Sequence, residues 1–284
     1  MPSPAASASA PRVGALFAIG SMSCVQLGLA VSVGLSEQLG PTGVAWLRLV
    51  WAGLILLVVA RPWRATFTRK AFWTCVALGA ATAGMTVFFM CAVMLIPLGT
   101  ASALEFLGPL GVAVARGTGR SRLWAIVAAA GVIALTEPWH GRADPIGILF
   151  ALGAAACWGV YILLTQRAGD SVEGLNALAV SIPTAAVVAS FTITPALFAK
   201  LDLTVLLAGL GLALLLPLVP FILELLSLRR LNTATFGTLM SLEPAFALVI
   251  GAAILHQIPT PLAVVGIALV ITAGIGATRT GARS

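Results

Sequence analysis

The chain has 284 residues, of which 60% are hydrophobic and 9% are charged, and its formal net charge is +7. Soluble domains carry about 25% charged residues, so this composition excludes a soluble domain and predicts an integral membrane protein surrounded by a lipid bilayer. The basic residues stand between apolar segments and form no continuous stripe, which argues against a nucleic-acid partner.

Along the chain, a stretch rich in alanine, serine and proline comes first, and residues 1–12 are predicted to be a disordered tail. The apolar segment that follows has no strongly basic region before it, so we expect a retained first helix and no cleaved signal. A helix needs about 20 apolar residues to cross a bilayer, and lipid-exposed strands are excluded for continuous apolar runs. The sequence predicts an all-α membrane protein with ten transmembrane helices, at 13–34, 43–60, 71–95, 98–115, 122–138, 146–166, 174–197, 204–226, 232–254 and 261–278.

The two halves of the chain resemble each other. A shift of 133 residues places Cys24 on Cys157, and a shift of 135 residues places Pro109 on Pro244. Each half holds five apolar segments, and because five is odd the second half is inverted in the membrane. We predict a first five-helix repeat at 13–142, an inverted second repeat at 143–279 and a tail at 280–284. Inverted repeats are typical of secondary transporters, whose substrate site lies near the bilayer midplane between the repeats.

The basic residues predict how the chain is oriented. With both termini in the cytoplasm, 13 of the 16 basic residues fall on the cytoplasmic side. Only Arg142 and Lys200 fall on the opposite side, and Arg48 lies inside a span. The excess of basic residues on cytoplasmic loops therefore places both termini in the cytoplasm.

Two glutamates inside the spans lie beside helix breakers. Glu105 precedes Pro109 by about one turn, and Glu243 is followed directly by Pro244. Proline kinks a helix, and kinked helices in corresponding positions of two repeats point to a transport site. We expect one or both carboxylates to bind a proton or a cationic group of the substrate. The alternative is that each glutamate pairs with Arg48 or with a neighbouring helix.

Other polar side chains in the spans are candidates with structural alternatives. Arg48 is always charged and is suited to a substrate carboxylate, although it could equally pair with a buried glutamate or snorkel. Glu224 in the eighth span is an ionisable candidate, with a salt bridge to a nearby arginine as its alternative. Trp158 and Tyr161 share a face of the sixth span and, like Gln26 in the first, could line a pocket or simply pack.

Several classes of activity lack their motifs. The chain contains no HExxH, GxSxG or P-loop motif, so we expect neither an enzyme nor a self-contained ATP-driven pump. Its four cysteines lie in apolar segments without metal-ligand spacing. We therefore expect no metal and no cofactor.

Three stretches resemble a known family. They are residues 96–110, which end in LEFLGPL, residues 157–162, CWGVYI, and residues 242–247, LEPAFA. On these stretches the chain resembles ten-helix, EamA-type transporters of the drug/metabolite transporter superfamily, and it is most similar to their threonine/homoserine exporter branch. The resemblance implies a bacterial inner-membrane protein with five-plus-five inverted helices that exports amino acids or related metabolites in exchange for protons. It also implies a cavity lined by helices one, three, four, six, eight and nine. An exporter of drugs or other small metabolites on the same fold is the alternative.

Overall fold

The chain folds into helices joined by short turns. The computed structural model describes residues 4–116, 121–137, 144–169 and 175–281, and no β-strand occurs in these ranges. The first helix begins at Pro4, inside the stretch 1–12 for which the sequence predicts a tail. The α-helices are α1 (Pro4–Leu39), α2 (Pro41–Ala60), α3 (Arg69–Val93), α4 (Leu98–Glu105), α5 (Leu107–Arg116), α6 (Ser121–Thr136), α7 (Pro145–Gly169), α8 (Leu175–Ala189), α9 (Leu203–Ala213), α10 (Val219–Leu228), α11 (Thr233–Met240), α12 (Glu243–Ile254) and α13 (Pro261–Gly281).

Several of these helices are long enough to cross a membrane. Two shorter apolar helices, Leu123–Thr136 and Asn176–Thr192, lie where the fifth and seventh spans are predicted. The prediction of an all-helical membrane protein is therefore confirmed, with eight spans of sufficient length in the described part of the chain. These eight are Arg12–Leu39, Pro41–Arg64, Arg69–Val93, Leu98–Ala115, Pro145–Thr165, Leu203–Leu228, Thr235–Ile254 and Pro261–Arg279.

Polar side chains cap the starts of three helices. Thr68 before α3, Asp202 before α9 and Asn232 before α11 each accept a hydrogen bond from a backbone N–H three residues later, at 3.2, 2.7 and 2.8 Å. Such caps satisfy donors that have no partner inside the helix. They set where these three helices begin.

The chain divides into two compact units. The first unit comprises residues 1–30, 97–142 and 215–284, and the second comprises residues 31–96 and 143–214. The division does not follow the predicted repeats, because each unit contains segments from both halves of the chain.

In the first unit, α6 packs along α13 through two glycines. A Cβ atom on Gly131 would lie 2.9 Å from the carbonyl oxygen of Gly266, and a Cβ on Gly266 would lie 2.8 Å from that of Gly131. Small residues let helix backbones approach this closely in membranes. The two glycines are 135 positions apart, which is also the spacing of Pro109 and Pro244.

In the second unit, α2 and α3 both pack on α8. A Cβ on Gly53 of α2 would lie 3.2 Å from the Cα of Pro183, while Gly79 of α3 faces the backbone of Ser181. The small residue at each contact again allows close packing of the helices.

The loop between α12 and α13, residues 255–260, forms hydrogen bonds with the ends of several helices of the first unit. The side-chain oxygen of Gln257 accepts a hydrogen bond of 2.8 Å from the backbone N–H of Leu98, the first residue of α4. The hydroxyl of Thr260 donates to the carboxylate of Glu137, which follows α6, at 2.5 Å, and it accepts a bond from Ala263 of α13. The loop thus holds the start of α4 and the end of α6 beside the start of α13.

Replacing Gln257 with alanine is expected to lower the free energy of unfolding by about 1–2 kcal/mol, because the buried N–H of Leu98 loses its acceptor. The measurement is an equilibrium unfolding titration in detergent micelles. Gln257→Glu is the matched control, since it keeps an oxygen acceptor at the helix N-terminus, where negative charge is favoured. An equal loss in both variants would contradict this role of Gln257.

Candidate functional site

The helices that carry the two predicted glutamates are interrupted at equivalent places. One is interrupted at Phe106, between α4 and α5, and the other at residues 241–242, between α11 and α12. Phe106 and Ser241 are 135 positions apart, like Pro109 and Pro244. A proline has no N–H for the carbonyl four residues before it, and this loss weakens each helix at the observed position. The two interruptions lie within about one turn of Pro109 and Pro244, where the sequence predicts kinks.

Glu243 lies at the interruption, as the first residue of α12. Its carboxylate oxygen Oε1 accepts a hydrogen bond of 3.4 Å from the side-chain nitrogen Nε2 of Gln26 in α1. Gln26 is fully buried, and Glu243 is partly buried. Two of the predicted candidates, 217 positions apart in the chain, are thus brought into direct contact.

Glu224 makes a separate contact with α1. Its carboxylate accepts a hydrogen bond of 2.9 Å from the hydroxyl of Ser21, a residue that is itself fully buried. Ser21 and Gln26 are five positions apart, so the two contacts are separated by about 7.5 Å along the axis of α1. The same helix therefore holds two carboxylates, from α10 and from α12.

The helix that carries Glu224 is interrupted as well. Between α9 and α10, residues Leu214–Leu218 form a wider helical turn in which Leu216 has an extended conformation, with φ −148° and ψ 112°. Leu216 packs against Gly28, where a Cβ would lie 2.7 Å from the leucine side chain. The sequence predicts a continuous span at 204–226, and the interruption at Pro217 is a difference from that prediction. Pro217 and Pro220, inside an otherwise apolar run, were the available signal.

Glu105 is the last residue of α4 and is partly buried in the same unit. The C-terminal end of a helix favours cations, since its last carbonyl groups carry partial negative charge. α4 packs on α12, where Gly99 lies against the backbone of Leu248. Glu105 therefore lies beside the interruption between α4 and α5, and Glu243 lies beside the interruption between α11 and α12. The two helices that carry these glutamates, α4 and α12, pack on each other.

The remaining candidates belong to the second unit. Arg48 is buried in α2 with 7% of its surface exposed, whereas Trp158 and Tyr161 are partly buried on α7. The contacts with Glu243 and Glu224 are made in the first unit. Arg48, Trp158 and Tyr161 remain predicted site residues.

Within the described ranges, no group of three or more histidine, cysteine, aspartate or glutamate side chains could hold a metal ion. The carboxylates near α1 contact amide and hydroxyl groups instead. This arrangement is suited to binding organic cations or protons.

Comparisons with known proteins place this architecture among transporters. Residues 145–278 match the EamA-like transporter family. The chain is 36% identical over 270 residues to the threonine/homoserine exporter RhtA of Escherichia coli (strain K12), covering 92% of this chain and 89% of that protein. It is 35% identical over 274 residues to the threonine/homoserine exporter RhtA of Salmonella typhimurium (strain LT2), with the same coverage.

A solved crystal structure shares the fold. Its TM-score with this chain is 0.57 at 18% sequence identity, and the match covers 96% of this chain and 97% of the other. At this identity the likeness shows a common fold and carries no information on the substrate.

Proposed function

Because this chain belongs to the EamA-like transporter family and lies near its threonine/homoserine exporters, we propose that it exports small amino acids such as threonine or homoserine. It is a transporter and not an enzyme. The observation that carries the proposal is the identity of 36% to a threonine/homoserine exporter across 92% of the chain. The exported amino acid leaves a bacterial cell across the inner membrane, in exchange for protons.

The proposed architecture has ten transmembrane helices in two inverted repeats, 13–142 and 143–279. The eight long spans and the two shorter apolar helices support the count of ten. Two spacings of 135 residues support the internal symmetry, one between the helix breaks and one between the glycines of the α6–α13 contact. The excess of 13 basic residues over two supports cytoplasmic termini.

The proposed exchange uses the carboxylate of Glu243. Leaving a charged carboxylate buried without a partner is costly, so such a group holds either a proton or a cationic partner. The ammonium group of an amino acid and a proton would then compete for Glu243, and this competition couples the two fluxes. Glu105 and Glu224 are further candidates for the proton. Arg48 remains the residue that the sequence predicts as a donor for a substrate carboxylate.

The test is counterflow of labelled threonine and labelled homoserine in proteoliposomes that contain the purified protein. We expect exchange that saturates, is inhibited by the unlabelled amino acid and is accelerated by an imposed pH gradient. Exchange without any response to the gradient would contradict proton coupling. Absence of exchange, in a preparation shown to be folded, would contradict amino-acid export and redirect the substrate search to drugs and other small metabolites.

A further inference from the structure

Only one of the two polar atoms in the side chain of Gln26 has a hydrogen-bond partner among the described residues. Its nitrogen Nε2 donates to Glu243, whereas its oxygen Oε1 is buried and has no hydrogen-bond partner among the residues that the structure describes. The whole residue is fully buried. Most buried polar atoms are hydrogen-bonded, and an unsatisfied one costs about 1–3 kcal/mol. The oxygen of Gln26 is therefore available to accept a hydrogen bond from a donor outside the described residues.

Other acceptors lie at the same helix break. The carboxylate of Glu243 has up to four acceptor positions, and the bond from Gln26 uses one of them. Three residues before Glu243, the backbone carbonyl of Met240 lacks its usual helical donor, because residue 244 is proline. An amide oxygen, a carboxylate and a backbone carbonyl thus supply acceptors and net negative charge.

Such a set matches one type of ligand group. A primary ammonium carries three N–H donors, a positive charge and no acceptor. Hydrogen bonds in which a partner is ionised are about twice as strong as neutral ones. A quaternary ammonium has the same charge but no donor, so it would leave the acceptors unsatisfied.

We infer that Gln26 Oε1, the Glu243 carboxylate and the Met240 carbonyl bind the primary ammonium group of the transported molecule, and that Gln26 makes this site selective against N-methylated amines. The inference deepens the proposed function and rests on it for the identity of the ligand. Gln26 has two tasks in this site. Its nitrogen orients the carboxylate, and its oxygen receives one ammonium hydrogen.

The contact between Ser21 and Glu224 does not offer the same chemistry. The hydroxyl of Ser21 lies 2.9 Å from Glu224 and 3.3 Å from the carbonyl oxygen of Pro220, so its one O–H hydrogen is committed within the protein and, among the described residues, its oxygen is not a buried atom without a partner. Gln26, by contrast, has its oxygen available. The ammonium site is therefore assigned to Gln26 and Glu243.

The experiment measures binding by ligand-induced thermal stabilisation of the purified full-length protein in detergent. Two matched pairs serve as probes: homoserine with N,N,N-trimethylhomoserine, and butylamine with butyltrimethylammonium. For the wild type, we expect at least one primary amine to bind about tenfold more tightly than its trimethylated partner, as the loss of charged hydrogen bonds predicts. Equal binding within both pairs, or stabilisation by no primary amine, overturns the inference.

Variants of Gln26 test whether that residue is responsible. Gln26→Met keeps the length of the side chain without its oxygen. The affinity for the primary amine should therefore fall to about the affinity for its trimethylated partner, and the preference should disappear. Ser23→Ala, whose hydroxyl bonds the carbonyl of Ile19 in its own helix, is the matched control and should keep the wild-type preference. If Gln26→Met does not fold, Gln26→Asn, which withdraws the oxygen by one carbon, replaces it. An undiminished preference in the variant that folds overturns the role of Gln26.

The binding data also separate this inference from the proposed function. Discrimination in the butylamine pair without counterflow of threonine or homoserine would support the ammonium site and refute amino-acid export. Counterflow without discrimination in either pair would support export and refute the site.

Discussion

Replacing Glu243 with glutamine is expected to lower the exchange of labelled homoserine by about a hundredfold, which corresponds to about 2.7 kcal/mol. Glutamine has nearly the shape of glutamate but neither binds a proton nor carries the negative charge that attracts an ammonium group. The amide can still form a hydrogen bond with Gln26, so the protein should remain folded. The measurement is the initial rate of counterflow in proteoliposomes with matched protein content.

Two further variants make this prediction decisive. Thr272→Val is the control, because the hydroxyl of Thr272 is exposed and bonds the carbonyl of Ala268 in its own helix at 2.7 Å. It should exchange homoserine at the wild-type rate. The double variant Glu105→Gln with Glu243→Gln should lose all exchange that responds to pH. Full pH-dependent exchange by the double variant would refute the assignment of a proton or a substrate cation to these carboxylates.

Replacing Gly131 with valine is expected to lower the free energy of unfolding by about 3 kcal/mol, the upper end of the usual cost of overpacking. Its Cβ would meet the carbonyl oxygen of Gly266 at 2.9 Å, and backbone cannot move aside as a flexible side chain can. Gly266→Val should have a similar effect, since a Cβ there would lie 2.8 Å from the carbonyl oxygen of Gly131. The measurement is equilibrium unfolding in mixed detergent micelles.

The control for these glycine variants is Gly34→Ala. No neighbouring atom lies within 4 Å of a Cβ at Gly34, and the residue is inside α1. Alanine there should leave stability unchanged or raise it by about 0.5–1 kcal/mol, because alanine favours the helix over glycine. A loss at Gly131 no larger than that at Gly34 would show that the close contact between α6 and α13 is unimportant for stability.

The helix breaks show which features of the fold could be predicted from sequence. Pro109 and Pro244 predict kinks in the fourth and ninth helices, since the missing N–H is a local property of the chain. The interruption at Leu214–Leu218 was not predicted, although Pro217 lies in it. The apolar residues at 204–226 are numerous enough for a helix that crosses a bilayer. Hydropathy alone does not distinguish a straight helix from a broken one.

Long-range contacts account for what the sequence could not predict at the site. Gln26 and Glu243 are both candidates from residue type and position, but their pairing depends on the folded chain bringing residues 217 positions apart within hydrogen-bond distance. Gln257 was missed because a glutamine in a short loop carries no local signal of the helix that it caps 159 positions away. The compact units likewise mix segments of both predicted repeats, because packing between helices does not follow their order along the chain.

The contact between Gly131 and Gly266 has a consequence for the origin of the chain. In the proposed inverted repeat, equivalent positions that touch each other lie on the two-fold axis that relates the halves. A five-helix ancestor that assembled with an upside-down copy of itself would have had this glycine among its contacts with that copy. A single mutation there would have placed two side chains near the axis at once, so such an ancestor would have excluded larger residues at this position. In the present chain each glycine can mutate alone, yet the carbonyl of the other still leaves no room for a side chain.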